Sequence, residues 1–210
     1  MKKTFYFVRH GETDWSVVGR NQGWFDIPLN NNGIEQVNEL AKKLSDIKLD
    51  CIYTSPLLRS LDTAKIVSEK NNVKIIIEDG LKEWNTGIFS GKIIRTTDTP
   101  IDTSFDINSE IIHIPFSLIT SDSYTLPNGE NYNKFTDRIY DTMVKIAKNT
   151  KCKTVGISTH GNVIKAFLQK IANVKYTSIN IPHASYIKVR WNGNNFKLLD
   201  CPDCLVVNTK

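Results

Sequence analysis

The chain has 210 residues, enough for one domain with a full core. Its 40% apolar and 23% charged content is ordinary for a globular protein, and its net charge of +5 is modest. With no block of basic residues, nucleic acid is not an expected partner, whereas a small anionic molecule is a suitable one.

The apolar stretch after Met1-Lys2-Lys3 is too short for a signal-peptide core or a membrane span, so a cytoplasmic location without membrane attachment is expected. Phe5-Tyr6-Phe7-Val8 breaks abruptly into Arg9-His10-Gly11-Glu12. Such a run bounded by Gly predicts a buried strand. A cation and an imidazole at its carboxyl end stand where open α/β sheets hold their ligands. Residues 14–33, rich in Gly, Asn, Asp and aromatics, read as a loop closing at Asn30-Asn31-Asn32-Gly33. Ile34, Val37, Leu40, Ala41 and Leu44 then recur at helical spacing.

Cys51-Ile52-Tyr53-Thr54 predicts a short strand. Ser55-Pro56 predicts the cap and first turn of a helix whose buried side is Leu57, Leu58, Leu61, Ala64 and Val67. Lys74–Ile77 predicts another buried strand, ending near Leu81-Lys82-Glu83. Residues 92–128 have no clear period and exceed an ordinary connection, so they read as an inserted lid. Phe135, Ile139, Met143, Ile146 and Ala147 mark a long amphipathic helix. Thr154–Thr159 is a second strand ending in histidine, His160-Gly161-Asn162, followed by a helix with Val163, Ala166, Phe167 and Ile171. Tyr186–Val189 and Phe196–Leu199 flank Trp191-Asn192-Gly193-Asn194, a hairpin signal. Strands alternating with helices predict an α/β fold, a mostly parallel sheet covered on both faces, as one domain over 1–210 with a lid at about 92–128.

Cys51 and Cys152 lie beside apolar runs and read as buried thiols. Cys201-Pro202-Asp203-Cys204 is a lone pair; a structural zinc site needs a second Cys pair or a His pair. No metal is expected there, and the two cysteines read as reduced residues in a tail turn.

Arg9, His10, Arg59, Glu83 and His160 all fall at strand ends or helix starts. A neutral imidazole is a competent nucleophile toward phosphorus near neutral pH, its ordinary pKa being about 6.5. Arginine forks match phosphate oxygens and keep their charge. Helix N-termini after Gly11, Pro56 and Gly161 could add backbone N–H donors. Phosphoryl transfer depends mainly on positioning and charge stabilisation, which suits this set. Glu83 would protonate the leaving oxygen if its pKa were raised.

The ordered set resembles the histidine phosphatase superfamily, the phosphoglycerate mutase-like family. The resemblance is carried by Arg9-His10-Gly11-Glu12-Thr13-x-Trp15, Gly19-Arg20-x-Gln22-Gly23 and Asp26-x-Pro28-Leu29. It continues through Ser55-Pro56-Leu57-x-Arg59, Leu81-x-Glu83 with Gly87 and Gly91, Pro127-x-Gly129-Glu130 and His160-Gly161-Asn162. It implies a three-layer α/β/α, phosphoglycerate mutase-like fold. It also implies that His10 is the nucleophile of a phosphohistidine intermediate, that Arg9, Arg59 and His160 hold the phosphoryl group, and that Glu83 is the proton donor. Gln22, Gly23, Gly161 and Asn162 would surround the substrate, and neither metal nor other cofactor is required. Ser16 stands where the family usually has Asn; its hydroxyl could still reach a phosphate oxygen, with shorter reach.

Other residues have blander readings. His113 and His183 lie outside the motifs and read as structural or surface residues. Glu130 either belongs to the site or merely starts the long helix near its positive end. Trp15, Trp24, Phe25 and Trp84 either line a substrate pocket or pack under their own loops. Between Lys92 and Pro127 only Lys92 and Arg95 are cationic, against Asp98, Asp102, Asp106, Glu110 and Asp122, which disfavours a bisphosphorylated acid. The expectation is therefore a phosphomonoester hydrolase acting on a small phosphorylated metabolite. A phosphoglycerate mutase is the alternative, and a silent phospho-ligand-binding module a lesser one. The substrate's identity is open at this level.

Overall fold

Alternation along Phe5-Tyr6-Phe7-Val8 divides the protein into its layers. The computed structural model describes residues 1–97, 106, 108–173, 175, 179–203 and 205–206. In it, β1 (Lys3–Arg9) buries Phe5 and Phe7 against one set of helices and Tyr6 and Val8 against the other. In chain order there follow α1 (Asp14–Val17), α2 (Asn31–Leu44), β2 (Cys51–Thr54), α3 (Leu58–Asn71) and β3 (Lys74–Ile77). Next come β4 (Ile93–Thr97), β5 (Ile111–Pro115), α4 (Phe116–Ile119), α5 (Tyr132–Asn149), β6 (Thr154–Thr159) and α6 (Gly161–Ala172). The last elements are β7 (Ile179–Asn180), β8 (Tyr186–Trp191), β9 (Phe196–Asp200) and β10 (Leu205–Val206).

The central sheet has the order β3-β2-β6-β1-β8-β9. The first four strands are parallel, and the predicted hairpin β8–β9 adds two antiparallel strands at one side. Helices α2 and α3 pack on one face through Val37, Leu40, Leu44, Ala64 and Val67. Helices α5 and α6 pack on the other through Phe135, Ile139, Met143, Val163 and Phe167. The architecture is thus α/β/α with a mostly parallel sheet. Because β1 and β6 are adjacent and in register, with Arg9 opposite Thr159, their carboxyl ends deliver His10 and His160 to the same place.

Several local expectations are corrected. The supposed loop over 14–33 holds a short helix, α1, and Asn30-Asn31-Asn32-Gly33 starts α2 rather than ending a loop, the Asn30 side chain accepting from Gly33 N. Gly33 and Gly11 touch so closely that a Cβ on Gly33 would lie 2.1 Å from the Glu12 carbonyl oxygen. That contact locks the His10 loop onto α2. Ile34 of the predicted stripe is exposed. Ser55-Pro56 does not open α3; the helix begins at Leu58, whose N–H donates to Asp26 (2.6 Å). Its buried face is Arg59, Ser60, Thr63, Ala64 and Val67, shifted from the apolar face expected, because it abuts a polar cavity.

The 92–128 segment, read as an inserted lid, contributes strands and core residues where it is described. β4 and β5 pair parallel in a sheet of their own, and Ile112, Ile114 and Leu126 join the main core. Residues 98–105 and 107 of this segment lie outside those described, as does Cys204. Cys51 and Cys152 are not separate thiols: the β2–β6 pairing sets Cys51 beside Val155, and the two cysteines form a disulfide with Cα atoms 6.4 Å apart. Cys201 is likewise disulfide-bonded rather than reduced. Among the described residues no helix is long and apolar enough to cross a membrane.

Candidate active site

The His10 ring is buried at the end of β1, and its Nδ1 lies 2.7 Å from the Gly11 carbonyl. A carbonyl only accepts, so Nδ1 carries the proton and Nε2 keeps its lone pair. Burial, then the charges of Arg59 and Arg9, hold the His10 pKa well below its ordinary value, so the ring is neutral. Its neighbour His160, 5.4 Å away between ring centroids, is neutral for the same leading reason, burial, with Arg59 next. His160 Nε2 lies 2.9 Å from Ser55 Oγ.

Arg59, 1% exposed, is held by α3 and by two carbonyls of the 19–26 loop: it donates to Gly23 O and Phe25 O, both at 2.9 Å. This corrects the simple picture of a fork kept whole for phosphate, since one N–H on each arm is already committed. What faces inward is Nε, which is buried without a hydrogen-bond partner among the described residues. The same holds for His160 Nδ1 and Gln22 Oε1. A buried donor left without a partner costs about 1–3 kcal/mol, so the unpartnered Arg59 Nε–H, on a residue that lines the cavity, favours an anion there. Burial lowers the Arg59 pKa to about 10, which still leaves it charged at neutral pH.

Glu83 arrives from the 78–86 loop and accepts the Trp84 N–H at 2.8 Å, with the Asn162 N–H a second donor. Desolvation nevertheless dominates and raises its pKa above the ordinary carboxyl value. The carboxyl therefore tends to keep its proton. With both imidazoles neutral, the guanidinium charges of Arg9 and Arg59 are left to set the field.

Arg9, His10, Arg59, Glu83, Ser16, Gln22, Gly23, Gly161, Asn162, Lys165 and His183 line one cavity of about 260 Å³. Nine of these were expected from the sequence, and His160 is in contact with the same group through the His10 ring. Of the three helix N-termini expected to serve it, that of α6 borders the cavity at Gly161 and Asn162, and its Asn162 N–H goes to the Glu83 carboxyl. α1 starts at Asp14, and the first amide of α3 is taken by Asp26. Ser16 borders the cavity, but its hydroxyl donates to Thr13 O (2.7 Å) and accepts from Thr13 N, closing the cap of α1. Its one proton is thus turned away from the anion site.

Three residues were missed or misread. His183 is not a surface residue: its Nε2 lies 2.8 Å from an Arg9 amine and its ring 5.7 Å from that of His10. It must accept from the guanidinium, so it is neutral, and burial with Arg9 lowers its pKa to about 4. Ala184, beside it, has a positive φ of 47°, strain that is tolerated where function fixes the backbone. Lys165 was overlooked although it follows Gly161 by four residues on α6, the spacing that puts both on one face. Glu130 neither starts a helix nor enters the cavity. Its carboxylate binds Asn85 N (3.0 Å) and Arg138, which also donates to the carbonyls of Gly80, Lys82 and Glu83. The pair braces the loop that carries Glu83. The aromatics divide: Trp84 stacks on Phe135 (5.5 Å, 9°), Trp24 donates to Glu83 O (2.7 Å), and Trp15 packs on Phe25.

The family model described as histidine phosphatase superfamily (branch 1) matches residues 5–203. The chain belongs to the histidine phosphatase superfamily. Among its relatives is a protein of Bacillus subtilis named "Uncharacterized phosphatase PhoE", 33% identical over 165 residues, covering 79% of this chain and 75% of that one. Another is a 2,3-bisphosphoglycerate-dependent phosphoglycerate mutase of Chlamydia abortus, 25% identical over 218 residues, covering 90% and 94%. Among solved structures, a phosphoserine phosphatase of Entamoeba histolytica in complex with 3-phosphoglyceric acid superposes with a TM-score of 0.73 at 23% identity, covering 95% of this chain and 96% of that one. That last likeness is one of fold: a phosphoglycerate mutase-like fold. Phosphatases and mutases alike transfer phosphoryl groups, and the chain belongs among enzymes of that kind.

Proposed function

We propose that this chain is a phosphomonoesterase acting through a phosphohistidine at His10 on a small phosphorylated metabolite. The observation that carries it is the His10 Nδ1–Gly11 carbonyl contact, which leaves Nε2 as a neutral nucleophile in a cavity that also holds the unpartnered Arg59 Nε–H. Nε2 attacks phosphorus, the bond to the ester oxygen breaks, and Glu83 passes its proton to that oxygen so that a neutral alcohol leaves. The Glu83 carboxylate then takes a proton from water, whose oxygen bonds to phosphorus as the P–N bond breaks, releasing phosphate and restoring both groups. Arg9, Arg59 and His160 hold the phosphoryl oxygens in both steps. His183 and the Glu130–Arg138 pair act as positioning residues for Arg9 and Glu83. No step calls on a metal.

Mutase chemistry would need further cations to retain a bisphosphorylated acid. Among the described residues the only other cations lining the cavity are Lys165 and Arg20, and Arg20 is engaged by the Gly91 carbonyl and by Glu110. Quenching in alkaline detergent after brief exposure to a 32P-ester tests the proposal: a base-stable, acid-labile phosphoprotein is expected, and its loss in His10→Ala. Turnover unchanged in that variant would overturn it. The cytoplasmic location belongs to this reading only if Cys51 and Cys152 are reduced in the cell, since disulfides are rare in the cytosol. Thiol trapping in fresh lysate decides that point.

A further inference from the structure

A second and larger cavity, of about 600 Å³, opens from the first. Gly19, Asn21, Asn162 and Lys165 line both, so the two are joined at a neck. Beyond the neck the walls are mainly apolar, Trp84, Phe89, Ile94, Ile114, Phe116 and Leu126, with Thr86 and Thr96 among them. Among the described residues no carboxylate lines this chamber, and the one cation that does, Lys165, is at the neck, within Coulombic reach of Arg9 and Glu83. Trp84 follows Glu83 directly in the chain, so the chamber opens on the side where the leaving oxygen would take its proton.

We infer that the chamber receives the alcohol part of the ester, and that the preferred substrates are phosphomonoesters of bulky, apolar alcohols rather than of short carboxylated ones. A pocket of this size accommodates a drug-sized apolar group. A carboxylated three-carbon alcohol would carry its charge toward mainly apolar walls that, among the described residues, offer Lys165 as the single cation, and would leave most of the chamber unfilled. The inference rests on the phosphatase reading given above.

The test is kcat/KM for methyl, propyl, pentyl and heptyl phosphate beside phosphoserine and 3-phosphoglycerate, each with the wild type and His10→Ala. Each added methylene should raise kcat/KM about threefold to fourfold until the chamber is full, with phosphoserine well below pentyl phosphate. Ile94→Trp, which fills the chamber from β4, should lower the heptyl-to-methyl ratio at least tenfold. Competitive inhibition by the matching n-alkylphosphonates should follow the same chain-length slope in the wild type, and this measurement needs neither turnover nor a variant. A flat series, a slope unchanged in Ile94→Trp, or phosphoserine preferred over pentyl phosphate overturns the inference while leaving His10-dependent hydrolysis intact. Hydrolysis that survives His10→Ala overturns the phosphatase reading instead, and the phosphonate slope alone then judges the chamber.

Discussion

The two joined cavities are built on opposite principles. The smaller one collects three arginines, neutral histidines and a carboxyl whose pKa burial raises, and it leaves the Arg59 Nε–H without a partner among the described residues. The larger is walled by apolar side chains, most of them from the 92–128 segment. One holds a fixed chemical group by charge and geometry; the other fits a variable group by shape. The difference predicts how substitutions in each should behave: losses in the first should be common to all substrates, while losses in the second should depend on the substrate.

The largest expected effect is at the nucleophile. His10→Ala should lower kcat by at least about 10⁴-fold for every ester, since no other group lies placed to attack. A drop confined to some esters would erase the distinction between the two cavities. Glu83→Gln comes next. Loss of a general acid removes about 10²–10⁴-fold for alkyl leaving groups, and much less for a nitrophenyl ester, whose oxygen leaves without a proton. The alkaline limb of the pH–rate profile, which reports loss of the Glu83 proton above the ordinary carboxyl range, should vanish in that variant. The acid limb, set by His10 below its ordinary value, should remain.

Arg138→Met should act more weakly and through position. It releases the carbonyls of Gly80, Lys82 and Glu83 and strands the Glu130 carboxylate, at a cost of about 1–3 kcal/mol in stability. Displacing Glu83 by even an ångström should lower kcat by as much as about 10²-fold. Urea melts and kcat measured together check both parts; a stability loss with kcat intact would show that the loop keeps its place unaided.

The same contrast explains what the sequence discloses. Most of the sheet and the helices α2, α5 and α6 follow from apolar periodicity, because their faces bury apolar side chains; β3, expected to be buried, lies at the sheet edge with Ile77 exposed. α3 breaks that rule: its inward face is Arg59, Ser60 and Thr63, since it closes the polar cavity, and a pattern of apolar residues cannot show a polar burial. His10 and His160 stand out because a strand ending in His-Gly is uncommon in a buried run. His183 does not, because it precedes β8 in an irregular stretch and its meaning comes only from the pairing of β8 with β1, which sets it beside Arg9. Lys165 could have been found by helical spacing. The chamber could not, since it arises from segments far apart in the chain that meet only in the folded molecule.

Titration gives the smallest and most selective effect, and it follows mainly from burial. Glu83 has a folded pKa above its unfolded one, so above about pH 4.5 the unfolded chain releases a proton that the native one keeps. The native state therefore loses stability from Glu83 as pH rises. His10 and His160 act in the opposite sense: their folded pKa values are depressed, so below about pH 6.5 the unfolded chain binds protons that the native one refuses, and stability falls as pH drops. Glu83→Gln removes only the first effect. The stability of Glu83→Gln relative to wild type should be constant below about pH 4.5 and grow as pH rises above it, read from urea melts at several pH values. Ile94→Trp touches no titratable group, so its stability difference from wild type should be the same at every pH. A pH-independent difference for Glu83→Gln would mean that the carboxyl is ionised in the native cavity, and the two regions would then differ in shape but not in their electrostatics.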